Sequence, residues 1–188
     1  SFTGKTVNIT YTGLVTKVDD GVKTKESTKD AIGNVISMMD TPGGTINYTY
    51  FANGNLKNSE YGGVNTTIEQ DVWGRKTKLT DPSAGIYSYT YNGFGETLTE
   101  TTPNGTTTYI RDPAFGKIKG KIITTTIGGA VSTTTYNYDD ALTKLLTSTV
   151  FYDDVEKNDI TTTYVYDAYK RLSTTNEVTP YATFFKQF

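Results

Sequence analysis

Glycines at positions 33, 54, 74, 95 and 116 lie 21, 20, 21 and 21 residues apart. So constant a period restricts the chain to folds that set one small unit after another. Most of these glycines close the same phrase: an Asp or Asn ending a strand, two or three residues, the glycine, then a polar residue opening the next strand. It reads Asp30-Ala31-Ile32-Gly33-Asn34-Val35, Asp71-Val72-Trp73-Gly74-Arg75-Lys76, Asn92-Gly93-Phe94-Gly95-Glu96 and Asp112-Pro113-Ala114-Phe115-Gly116-Lys117, with a shorter form at Asn53-Gly54-Asn55-Leu56. Two looser copies follow at Tyr138-Asp139-Asp140-Ala141-Leu142-Thr143-Lys144-Leu145 and Tyr166-Asp167-Ala168-Tyr169-Lys170-Arg171-Leu172, where Thr143 and Lys170 stand at the glycine and the spacing widens to 27. Residues 1–188 therefore read as one array of about seven units anchored near Gly33, Gly54, Gly74, Gly95, Gly116, Thr143 and Lys170.

A second series of turns sits about half a period away, at Thr41-Pro42-Gly43-Gly44, Tyr61-Gly62-Gly63, Asp81-Pro82-Ser83-Ala84-Gly85, Thr102-Pro103-Asn104-Gly105 and Ile127-Gly128-Gly129. Proline pre-sets one turn torsion, and glycine or asparagine supplies positive φ. Each period thus holds two turns and two strands, the pattern of consecutive antiparallel hairpins. The 15 tyrosines and 38 threonines favour pleated surfaces over helix. The expected fold is all-β, a curved meander sheet that is open rather than closed.

Residues two apart share a face of a strand. Ile46/Tyr48/Tyr50, Tyr87/Tyr89/Tyr91, Tyr136/Tyr138, Leu145/Thr147/Thr149/Phe151 and Tyr164/Tyr166 keep that spacing, with mostly Thr, Asn or Ser between them. One face is aromatic and the other polar. A single hairpin cannot cover such a face, so neighbouring units are expected to stack or curl against one another.

The chain has no Cys and no His. That removes disulfides, thiolate or imidazole metal sites, and triads built on cysteine or histidine. The net charge is −2, with Lys and Arg scattered along the sequence, which offers no footprint for nucleic acid. No apolar stretch approaches the roughly 20 residues of a membrane span, and the Ser1-Phe2-Thr3-Gly4-Lys5 start leads into no signal-peptide core. The last residues, Tyr181 to Phe188, stop in strand-like sequence without a polar cap, which reads as an excerpt of a larger protein whose neighbouring repeats are its first partners. Unpaired edge strands point also to edge-to-edge self-association.

Tyr164-Val165-Tyr166-Asp167-Ala168-Tyr169-Lys170-Arg171-Leu172 resembles the YD-repeat motif of Rhs proteins, written Tyr-Asp, two residues, Gly, Arg, Leu, with Lys170 at the glycine. Asp71-Val72-Trp73-Gly74-Arg75 is similar to its turn half, and Tyr91-Asn92-Gly93-Phe94-Gly95-Glu96 is similar with Asn for Asp. The resemblance covers residues 24–176. It implies β-hairpins wound as a spiral strip, as in the shells of Rhs and Tc toxins and of teneurins, in a secreted or surface-exposed protein. A toxin domain enclosed by the shell, or a surface glycan or protein bound by an open strip, would then be the partner. The conserved segment that carries the autoprotease of the toxins has no counterpart in the sequence. No enzymatic activity, catalytic residue or cofactor is expected.

Three groups of residues are weighed as sites. Asp153, Asp154 and Asp159 in the loop 153–159 supply oxygen ligands of the kind calcium takes, but without the spacing of an EF-hand, and a solvated hairpin loop is the preferred reading. The carboxylate pairs Asp139-Asp140 and Glu96 with Glu100 lie at or beside turns, where Asp bonds its own backbone and supplies no glycosidase cleft. Trp73, Phe94, Phe115 and Tyr169 each precede an anchor and so recur at one place in the repeat, as partner contacts or, by preference, as plugs between successive turns. Ile32, Asn53 and Leu142 occupy the same place in other units.

Overall fold

The computed structural model describes residues 6–113, 116–125, 128–139 and 143–188. Seventeen strands and no helix occur among them: β1(Asn8–Thr12), β2(Val15–Asp19), β3(Thr24–Lys29), β4(Val35–Asp40), β5(Gly44–Tyr50), β6(Leu56–Tyr61), β7(Val64–Gln70), β8(Lys76–Asp81), β9(Gly85–Tyr91), β10(Thr97–Thr102), β11(Gly105–Arg111), β12(Ile118–Thr125), β13(Val131–Tyr138), β14(Leu146–Asp153), β15(Asn158–Tyr166), β16(Leu172–Val178) and β17(Thr183–Gln187). No helix is therefore long and apolar enough to cross a membrane. The chain divides into two units, Ser1–Ile86 and Tyr87–Phe188. In the first, β1 to β8 pair in sequence order, every pair antiparallel. In the second, β9 to β17 do the same. Neither meander closes on itself, so the all-β, open architecture expected from the repeat is the one found.

The anchor turns explain the period. In four of the units anchored by glycine, the amide of that glycine donates to the carbonyl three residues earlier, and the amide of that earlier residue donates to the carbonyl four residues later. The pairs are Gly33–Asp30 with Asp30–Asn34, Gly54–Phe51 with Phe51–Asn55, Gly74–Asp71 with Asp71–Arg75, and Gly95–Asn92 with Asn92–Glu96. This is a type I turn closed by a left-handed residue, which inserts one extra residue and a bulge into the hairpin. The pairing register slips beside these turns, between Thr28 and Lys29, Thr49 and Tyr50, Glu69 and Gln70, and Thr97 and Thr99. The left-handed position has φ of 98°, 86°, 81° and 84° at Gly33, Gly54, Gly74 and Gly95, so glycine recurs there because other residues resist that conformation. Between β6 and β7 the Gly62-Gly63 pair, at φ 58° and 83°, makes the two-residue turn of the opposite series.

The sixth unit closes its turn in a longer form. Among the described residues of the sixth unit the left-handed residue is Lys144, at φ 50°, one place after Thr143, and the turn closes from the Asp139 amide to the Leu145 carbonyl. Thr143 Oγ1 instead donates to Asp139 Oδ2 at 2.5 Å. Lys170 is left-handed, at φ 64°. A left-handed lysine costs about 1–2 kcal/mol relative to a glycine there. Lys170→Gly is therefore expected to raise the unfolding free energy by about 1 kcal/mol. Lys144→Gly should raise the melting midpoint too, whereas Thr143→Gly should lower it. Chemical denaturation of the three variants checks the assignment.

Packing follows the strand alternation. Ile46, Tyr48, Tyr50, Tyr136, Tyr138, Tyr164 and Tyr166 are half-buried, while Asn47, Thr49, Asn137 and Val165 between them are exposed. No hydrophobic side chain among the described residues is fully buried. Same-face neighbours on adjoining strands are the pairing that stabilises a sheet locally. The expectation that stacking units would seal the aromatic faces is met only to that half-buried extent.

Candidate functional site

The anchor turns carry most of the recurring chemistry. Asp30 Oδ1 accepts from the amides of Ile32 at 3.0 Å and Asn34 at 2.9 Å. Asp71 Oδ1 accepts from Trp73 at 3.0 Å and Arg75 at 2.9 Å, Asn92 Oδ1 from Phe94 and Glu96 at 3.0 Å each, and Asp167 Oδ1 from Tyr169 at 2.8 Å and Arg171 at 2.9 Å. The far end of the same side chain meets the residue four places on. Asn34 Nδ2 donates to Asp30 Oδ2 at 2.9 Å, Arg75 Nε to Asp71 Oδ2 at 2.6 Å, Arg171 Nε to Asp167 Oδ2 at 2.8 Å, and Asn92 Nδ2 to Glu96 Oε2 at 2.7 Å. The Asp of the motif is thus a built-in turn clamp, and Arg is its preferred counterion because the guanidinium reaches the carboxylate in a fixed geometry.

These contacts set the titration of the carboxyls. Partial burial pushes the Asp30 and Asp71 carboxyls up, but the bonds from Asn34 and Arg75 outweigh it and hold both below the ordinary 3.8. The Arg171 amide and guanidinium hold Asp167 below that value as well. A depressed folded pKa means that the contribution to stability is complete above 3.8 and is lost as pH falls through the lower folded values. The melting temperature is expected to hold from neutral pH down to about pH 5 and then to fall. Asp71→Asn and Asp167→Asn should each flatten that fall, which a pH series of thermal melts reads directly.

Successive turns are tied to one another. The residue before the clamp sends a donor to the carbonyl two places past the preceding anchor: Tyr50 to Val35 at 2.7 Å, Arg111 Nη2 to Thr97 at 3.4 Å, Tyr138 to Ile118 at 2.9 Å and Tyr166 to Leu146 at 3.0 Å. The Leu146 acceptor lies two past Lys144, so this offset independently places that anchor. Direct contacts between turns add to the series. Asn55 Nδ2 donates to the Gly74 carbonyl at 3.0 Å, and the Lys117 ammonium to the Lys144 carbonyl at 2.5 Å. Arg111 Nη1 also donates to Gly116 O at 2.9 Å and lies 3.4 Å from Glu96. Glu96, weighed above as one of a carboxylate pair, is therefore part of the bracing.

Trp73, Phe94 and Tyr169 stand on the turn tips, 76%, 93% and 80% exposed. Guanidiniums lie over two of the rings, Arg75 at 4.7 Å from Trp73 and Arg171 at 5.2 Å from Tyr169, so one arginine clamps the aspartate and stacks on the aromatic. Ile32 in the same place is 83% exposed. Phe115 and Leu142 lie outside the described residues. In the acidic loop, Asp153 Oδ1 accepts from the Val155 amide at 2.9 Å and Asp154 Oδ1 from the Val131 amide at 2.8 Å, while Asp159 sits in the β14–β15 ladder opposite Tyr152. No three acidic side chains among the described residues converge on a common point. The pre-turn donor is not legible in the sequence, because a Tyr precedes Asp139 and Asp167 but Lys29, Gln70 and Arg111 precede Asp30, Asp71 and Asp112, and Arg111 performs the task with unrelated chemistry.

The fold belongs to the class of long antiparallel β-strips. No protein-family profile and no curated protein matches the sequence. Among solved structures the chain is similar to a TcdB2-TccC3-Cdc42 crystal structure, with a TM-score of 0.69 and 17% identity over 90% of this chain and 10% of that one. It is similar also to TcdB2-TccC3, with a TM-score of 0.67 and 18% identity over 90% and 10% of the two chains. A Tc holotoxin pore from Photorhabdus luminescens gives a TM-score of 0.52 and 16% identity over 91% and 12%. The chain thus spans about a tenth of the length of these chains, and at such identities the likeness is one of fold.

Proposed function

We propose that this chain is a non-enzymatic scaffold segment of a YD-repeat protein of the Rhs type, its seven turns being successive units of one array in a longer extracellular or surface-exposed bacterial protein. The observation that carries the reading is the recurrence of one bracing contact, from the pre-turn donor to the carbonyl past the previous anchor, with Tyr50, Arg111, Tyr138 and Tyr166 in the same role. Side chains spent on holding one turn to the next serve shape. The fold likeness to TcdB2-TccC3 chains supports a place in the wall of a larger β-shell, and through it the enclosure of a toxin domain. Electron cryomicroscopy of the full-length protein tests this. The segment should appear as part of a continuous β-wall around a cavity, and a separate compact domain, or helices between the repeats, would overturn it.

A second reading, adhesion through the turn tips, rests on the exposure of Trp73, Phe94 and Tyr169. Under it, Trp73→Ala and Tyr169→Ala would abolish glycan or protein capture while leaving the fold intact. Under the scaffold reading both variants leave every interaction of the full-length protein unchanged.

A further inference from the structure

Asparagine followed by glycine occurs at Asn53-Gly54, Asn92-Gly93 and Asn104-Gly105, each time at a turn. The dipeptide carries a latent reaction, because glycine puts no Cβ in the way of attack by its own amide nitrogen on the Cγ of the preceding side chain. The C–N bond that forms expels Nδ2 as ammonia and leaves a cyclic succinimide. Water then opens either ring carbonyl to give aspartate or isoaspartate, so the net change is water taken up and ammonia released. The fold treats the three pairs differently. Asn92 is locked, its Oδ1 accepting from the Phe94 and Glu96 amides at 3.0 Å each and its Nδ2 donating to Glu96 Oε2 at 2.7 Å. Asn53 Oδ1 accepts from the Asn55 amide at 3.1 Å and Nδ2 donates to Gln70 Oε1 at 3.3 Å, while the Gly54 amide that would attack is engaged by the Phe51 carbonyl at 2.9 Å. Ring closure at either asparagine must first break these bonds. Asn104 stands apart. It is exposed on the tip between β10 and β11, and its backbone amide donates to Thr102 Oγ1 at 3.2 Å, but among the described residues its carboxamide makes no hydrogen bond. Gly105 opens β11 opposite Thr102, the end rung of that ladder, and end rungs open first.

We propose that Asn104 is a site of spontaneous covalent conversion, through the succinimide to isoaspartate and aspartate, while the turn bonds of Asn53 and Asn92 spare those two. Isoaspartate routes the backbone through the former side chain and so inserts a methylene just before Gly105. That residue has little room to shift. It lies opposite Thr125 at the start of the β11–β12 register, and even a Cβ on it would come 2.3 Å from the Thr124 carbonyl oxygen. The isoaspartate form is therefore less stable than its parent, with the pairing of β11 on β12 loosened from the tip. The conversion is independent of the scaffold role.

Peptide mapping by mass spectrometry, on the full chain incubated at neutral pH below its unfolding temperature, tests the proposal, with chromatography to separate isoaspartate from aspartate. Asn104 should convert about tenfold faster than Asn53 or Asn92, the factor set by two hydrogen bonds that must be broken at each of those. In concentrated urea, where no turn bond survives, the three rates should converge. Equal rates in the folded chain, or a ratio that persists in urea and so belongs to the flanking sequence, would overturn the proposal. Asn104→Asp adds the charge without the methylene. The purified isoaspartate form should melt below that variant, and equal midpoints would overturn the loosening of β11.

Discussion

Gly105→Ala is expected to lower the unfolding free energy by about 3 kcal/mol. A Cβ at this position would lie 2.3 Å from the Thr124 carbonyl oxygen, 3.0 Å from Thr125 Cα and 3.1 Å from Thr124 C, all of them backbone of the paired strand β12. Flexible side chains can swing away from such a contact, but ladder backbone can move only by breaking the β11–β12 register, which begins at this residue with Gly105 opposite Thr125. The φ of 154° adds strain for any residue with a side chain. Gly54 is the control. At φ 86° a Cβ there meets nothing within 4 Å, so Gly54→Ala should cost only the conformational penalty of about 1 kcal/mol. Urea unfolding of the two variants, at equal denaturant slope, separates steric from conformational cost. Equal losses would mean that β12 yields to a methyl group at Gly105 without cost.

Arg111→Leu is expected to cost about 2 kcal/mol, because the carbonyls of Thr97 and Gly116 and the Glu96 carboxylate all lose a charged donor. The instructive variant is Arg111→Tyr. If the pre-turn position exists to deliver a donor to the carbonyl two past the previous anchor, tyrosine should recover about half of that loss, since a neutral hydrogen bond is worth about 1 kcal/mol. The guanidinium is imperfectly used where it stands, with Nε buried and unpartnered, so its replacement removes one cost as well as two bonds. A tyrosine variant no more stable than the leucine variant would show that charge at Glu96, and not the carbonyl bond, is what the position supplies.

Much of this organisation is legible in the residues. The anchor glycines, the Asp or Asn three places before most of them and the two-residue spacing of tyrosines each have a local cause, in left-handed φ, a side chain bonding its own backbone and strand pleat. What escapes the sequence is what depends on neighbours in space. Lys144 gives no compositional sign of being left-handed, and an anchor at Thr143 fits the spacing equally well; the positive φ of Lys144 and the Tyr166 bond to Leu146 distinguish them. Arg111 looks like one more scattered cation until β10 brings Thr97 and Glu96 to it.

The bonds that join one turn to the next span only 14 to 27 residues. Chains dominated by such short-range contacts pay little loop-closure entropy before each gain, and so have low contact order. A nascent chain of this kind need not await its distant end. As each hairpin leaves the ribosome, the carbonyl it must engage is already in place on the hairpin before, and assembly can keep pace with synthesis in the order of translation.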